Sequence, residues 1–114
     1  AVGIGVCADG VEYFDEPALA VMLGHLPREQ FRVFSGRQPL PALESRGGFA
    51  AHTALVHADP ATPELQALVA ELGERVAGRY LFGGLASSRT RTVTLADGVC
   101  EGGLSGVAFA AGAG

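Results

Sequence analysis

The most regular pattern in the chain is carried by Leu65, Leu68, Val69, Leu72 and Val76, apolar positions at helical spacing, with Glu64, Gln66, Glu71, Glu74 and Arg75 between them. This predicts an amphipathic helix from Pro63 to about Ala77, packed by its apolar face on a sheet. Thr62 suits the N-cap, Pro63 the first turn, and Gly78 a left-handed cap at the far end. Ala51 to His57 before the helix and Arg79 to Phe82 after it read as strands. Strand, helix and strand in this order predict a βαβ unit with a right-handed crossover and parallel pairing.

Elsewhere the pattern is that of strands. Phe31-Arg32-Val33-Phe34 alternates as a half-buried strand does, and the unbroken apolar run Ala18 to Leu23, closed by Gly24, predicts a central strand. Val2, Ile4 and Val6 alternate with Gly3 and Gly5, giving a strand with one smooth face. Ser35 to Gly48 carries several glycines and prolines and no period, so it reads as a long loop. Arg91 to Leu95 alternates, Asp97-Gly98 favours a tight turn and Val99-Cys100 runs back, which predicts a hairpin in the last third. Gly102-Gly103 bends the chain into a final apolar strand from Leu104 to Ala111. The fold class is therefore α/β (α+β), a mixed β-sheet with a βαβ unit and a C-terminal β-hairpin.

At 114 residues, 48% of them hydrophobic, the chain is long enough for one domain with a real core, and residues 1–114 are read as that domain. The start at Ala1, with no Met, suggests a piece of a longer polypeptide. A net charge of −4 and scattered arginines leave no footprint for nucleic acid or an anionic membrane. No apolar run reaches membrane-spanning length, and the expectation is a cytoplasmic protein with no membrane partner. Cys7 and Cys100 are distant in sequence, form no CxxC pair and are read as buried free thiols. His52 and His57 face opposite sides of a regular strand, so no metal site is expected, and no cofactor motif is present.

Candidate chemistry gathers where Tyr80-Leu81-Phe82 stops at Gly83-Gly84 and hands over to Ser87, Ser88, Arg89 and Thr90. The sequence reads as a buried strand emptying into a loop at the carboxyl end of the sheet, where ligands bind in α/β folds. Backbone amides at Gly83 and Gly84, the hydroxyls of Ser87 and Ser88 and the guanidinium of Arg89 suit a carboxylate. Asp59, leaving the preceding parallel strand on the same side, is expected as a neighbour of the two serines. Glu12, Asp15 and Glu16 form an acidic loop, read either as solvated or as a cation site. Ser87 or Cys7 with His52 or His57 and Asp59 would make a nucleophilic set, yet no GxSxG elbow or other local signature joins them, and no catalytic residue is assigned.

Three blocks then stand out together: Leu81 to Ser88, Leu95 to Val99, and Gly102 to Phe109. With Glu12 to Ala18 and His57 to Pro60 in the same order, the chain resembles the amino-terminal FIST domain over almost its whole length. The resemblance implies a sensory module of bacterial signal-transduction proteins and of F-box proteins, binding small ligands such as amino acids, with no catalytic residues. It also implies further sequence before Ala1 and a carboxyl-terminal FIST domain as partner. The expected function is a sensory module for an amino acid or another small carboxylate; the alternative is a protein-interaction scaffold without a ligand.

Overall fold

The computed structural model describes residues 2–43 and 48–113. Its centre is a four-stranded sheet in the order β3-β8-β4-β5, made by Phe31–Ser35, Leu104–Ala110, Ala51–Ala58 and Tyr80–Leu85. β4 and β5 run parallel, joined through helix α1 (Leu65–Glu74), while β8 is antiparallel to both β3 and β4. Two small hairpins lie outside this sheet, β1 (Gly5–Ala8) with β2 (Val11–Phe14) and β6 (Thr94–Leu95) with β7 (Val99–Cys100). The mixed sheet, the βαβ unit and the late hairpin agree with the sequence reading. Of the long loop, residues 44–47 lie outside the described residues.

Alternation along β4 sets the core. Ala51, Ala54, Val56 and Ala58 are buried while the residues between them are not. Ala54 and Ala108 are fully buried at the middle of the sheet and cluster with Phe34, Leu40, Val56, Leu72 and Val76. Their small side chains leave room for Leu72 of α1 and for Val76 just beyond it.

Several sequence expectations are corrected. Ala18 to Leu23 forms no strand and has no ladder partner, and Leu19, Met22 and Leu23 are 86%, 91% and 90% exposed. A short apolar run between breakers does not make a strand where no neighbouring strand supplies hydrogen bonds. The helix is shorter than its apolar period, because Glu64 takes a left-handed conformation (φ 53°) and the chain tightens after Glu74, where Val76 N–H reaches Gly73 O at 3.3 Å. Thr62 does not cap it; its hydroxyl accepts the Gly103 N–H at 2.8 Å, which ties the loop after β4 to the start of β8. The left-handed residue after the helix is Arg79 (φ 50°), not Gly78. Leu68 is 37% exposed, so the helix contributes to the core through Leu72 instead. Both cysteines are free, but Cys7 is exposed and Cys100 half-buried, neither being a core thiol.

Gly83 and Gly84 do not begin a loop. They continue β5 opposite Val56 and His57. At Gly83 the backbone is at φ +141°, and a Cβ there would lie 1.8 Å from the Val56 carbonyl oxygen. Across β4, a Cβ on Gly106 of β8 would lie 2.0 Å from the Leu55 carbonyl oxygen. Glycine is required at these two places by backbone clearance.

Candidate functional site

The stretch that leaves β5 does so against the amino-terminal hairpin. Ser87 N–H donates to Val2 O at 3.0 Å, Val2 N–H donates to Val93 O at 3.2 Å, and Ile4 N–H donates to the Ser87 hydroxyl at 3.2 Å. Ser88 folds the next turn back on itself, its Oγ accepting the N–H of Thr90 (3.2 Å) and of Arg91 (3.0 Å). Such a serine turn lifts the residue between outward. That residue is Arg89, whose guanidinium pairs with the Asp15 carboxylate and lies 5.9 Å from the centre of the Phe14 ring.

Between these two segments opens a cavity of about 330 Å³ lined by Ser88, Arg89, Thr90, Asp15, Glu16 and Pro17, with Gly3 and Ile4 at its base. Its charges are one guanidinium and two carboxylates. The Arg89–Asp15 pair is well exposed, so it contributes about 1 kcal/mol or less and is open to exchange with a bound group. The hydroxyl protons of Ser88 and Thr90 are the neutral donors at its wall, since Ser88 Oγ uses its lone pairs on the turn.

Of the residues expected from sequence, Ser88 and Arg89 line this cavity. Ser87 stands behind it as the hinge to Ile4. Gly83 and Gly84 are held in the sheet. Asp59 belongs to a separate turn, where its Oδ1 accepts the Ala61 N–H at 2.9 Å and its N–H donates to Gly103 O at 3.1 Å. Asp15 and Glu16, read from sequence as a solvated acidic loop or a cation site, are the partners that complete the site. Their meeting with Arg89 spans 74 residues and leaves no local signal.

A second cavity of about 170 Å³ lies between α1 and the sheet, lined by Phe34, Pro39, Leu40, Leu68, Leu72 and Leu104 with Arg75 at its edge. Arg75 is engaged there, donating to Leu40 O at 2.6 Å and to Glu71 at 2.5 Å. It offers apolar contact and little else, which makes the seam around Arg89 the better-equipped site. Among the described residues no hydrogen bond joins Ser87 or Cys7 to a histidine, and no cluster of His, Cys, Asp and Glu has metal-binding geometry.

Burial lowers the pKa of His57 below its ordinary 6.5. The unfolded chain therefore takes up this proton first, and stability present above pH 6.5 is lost as the pH falls from there toward the folded-state value. Urea midpoints measured across this window should drop on acidification, with a shallower slope in His57→Gln; equal slopes would remove His57 from the account.

No helix among the described residues is long and apolar enough to cross a membrane. Comparison with curated proteins and with solved structures gives no match. The family model for the FIST N domain matches residues 1–113, which takes in both hairpins, the βαβ unit, β8 and every residue around the Arg89 cavity, and the chain belongs to that family.

Proposed function

We propose that the chain is the ligand-binding part of a sensory domain and that its ligand is a free amino acid held in the cavity lined by Arg89, Asp15 and Glu16. FIST N domains are sensory domains of signalling proteins, and the family assignment supports that part of the reading. The observation that carries the ligand class is the charge set of the cavity, one guanidinium beside two carboxylates. A simple carboxylate would meet Arg89 but be repelled by Asp15 and Glu16. An amino acid satisfies both signs, its carboxylate on Arg89 and its ammonium group on Asp15 or Glu16. The Ser88 and Thr90 hydroxyls donate to the same carboxylate.

A thermal-shift screen of amino acids against their deaminated and decarboxylated analogues tests this. At a hundredfold excess over Kd a true ligand adds roughly 2.7 kcal/mol to stability, and only compounds bearing both charges should do so. Arg89→Ala should weaken binding by about 1.5–3 kcal/mol without unfolding the chain, because the side chain is exposed. If no compound stabilises the chain and a protein partner is recovered instead, the scaffold reading replaces this one. A carboxyl-terminal FIST domain is the proposed partner.

A further inference from the structure

Residues 8–24 and 96–112 can be laid over one another without a gap. Ala8-Asp9-Gly10-Val11 repeats as Ala96-Asp97-Gly98-Val99, Ala20 falls on Ala108, and Gly24 falls on Gly112. The backbone repeats as well. Asp9 and Asp97 are both left-handed, at φ 51° and 55°, and so are Asp15 and Gly103, at φ 58° and 68°. Each copy opens at the tight turn of a hairpin, β1–β2 in the first and β6–β7 in the second. After the second left-handed turn the copies part. The later one enters the sheet as β8, whereas its counterpart, Glu16 to Met22, lies exposed with no strand beside it.

The alternation of β8 is kept in this counterpart. Val107 and Phe109 share one face of the sheet with Leu55 and Phe82, while Gly106 and Ala108 share the other. The superposed residues are Leu19 and Val21 on the first face, Ala18 and Ala20 on the second. Large and small side chains alternate in the same phase.

The sheet offers an open strand edge. β5 is an outer strand of the sheet, and Tyr80 to Leu85 contains no charge and no proline to discourage pairing. Tyr80, Phe82 and Leu85 are 63%, 44% and 62% exposed. Pro17 lies in the cavity with Ser88 and Arg89, just beyond the carboxyl end of β5. Leu26 lies in another, lined also by His52, Thr53, Phe82 and Phe109, on the sheet face near the start of β4. The connecting chain thus passes β5 in the antiparallel sense. Its nine steps span up to about 30 Å, against about 20 Å for the six residues of β5.

We infer that Ala18 to Leu23 closes on the free edge of β5 as a fifth, antiparallel strand, extending the order to β3-β8-β4-β5-(18–23). The phase of the repeat and the positions of its two ends set the register, with Val21 opposite Gly84 and Leu23 opposite Phe82. Leu19, Val21 and Leu23 then join the sheet face of Phe82 and Val107. Val21 covers the gap at Gly84, where a Cβ meets nothing within 4 Å.

Two measurements test the closure. In a chain with Cys7 and Cys100 replaced by Ser, Val21→Cys with Gly84→Cys should form an intramolecular disulfide on mild oxidation, since opposed residues of an antiparallel pair meet the required spacing. It should form at least ten times faster than the disulfide of Ala20→Cys with Gly84→Cys, because a one-residue shift turns the side chain to the other face. Disulfides formed only between chains would put a second copy on β5 and overturn the inference, as would equal rates for the two pairs. Hydrogen exchange on the unsubstituted chain gives an answer independent of the cysteines. Amides of Ala20 and Met22, which this register turns toward β5, should exchange at least tenfold slower than in an unstructured peptide of the same sequence, and free-peptide rates at both would overturn the closure.

Discussion

Gly83→Ala should leave the chain largely unfolded, while Gly84→Ala, one residue away, folds like the parent. A methyl group at position 83 would sit 1.8 Å from the Val56 carbonyl oxygen, in a backbone conformation of φ +141° that side chains rarely adopt. The atoms it would meet all belong to the Val56 backbone in the parallel neighbour strand, none of them a flexible side-chain end that could swing aside. The expected loss exceeds about 4 kcal/mol, most of what a domain of this size possesses. At Gly84 nothing lies within 4 Å of the added atom, and the loss should stay within about 1 kcal/mol. Urea titration followed by circular dichroism separates the two. A Gly83→Ala chain with the parent's midpoint would mean that β5 does not approach β4 as described.

Leu72→Asp should be nearly as damaging, and the same change at Leu68 should not. Leu72 is 7% exposed within the cluster of Phe34, Leu40, Ala54 and Ala108, so an aspartate there is buried without a partner, at a cost of about 4 kcal/mol or more. Leu68, one turn earlier, stands 37% exposed at the mouth of the apolar cavity, and its aspartate reaches water for about 1.5 kcal/mol or less. Melting temperatures of the two variants give the comparison directly. Equal losses would mean that both leucines of the helix are core residues.

These two leucines mark the reach of sequence periodicity. The pattern located the helix and the strands β3, β4 and β8, because each alternates or repeats over enough residues for one face to be evident. It did not rank Leu68 and Leu72, which share the same apolar stripe but are 37% and 7% exposed. It reads Ala18 to Leu23 as a central strand from a short apolar run between breakers, since a single segment carries no record of whether a partner strand stands beside it. Thr62 shows the same limit at one atom: its hydroxyl suits an N-cap, but the Gly103 amide, 41 residues on, takes it first. At the candidate site, Ser88 and Arg89 were legible as donors following a strand, whereas the pairing of Arg89 with Asp15 depends on how the amino-terminal hairpin docks. Gly83 and Gly84 read from the sequence as a pair that permits positive φ or close approach in a loop; the close approach is found at Gly83 alone, within β5, and comes from the neighbouring strand.

The placing of β8 has a consequence for how the chain acquires its structure during synthesis. The two strands it joins, Phe31–Ser35 and Ala51–Ala58, leave the ribosome some fifty or more residues before it and have no ladder with each other. Until Leu104–Ala110 arrives, β3 has no strand to lie against and the buried side of β4 has one neighbour in place of two. Folding must therefore wait for the latest of the four strands, which predicts slow, late acquisition of the native sheet and a nascent chain that holds sticky, unpaired strands for much of its translation.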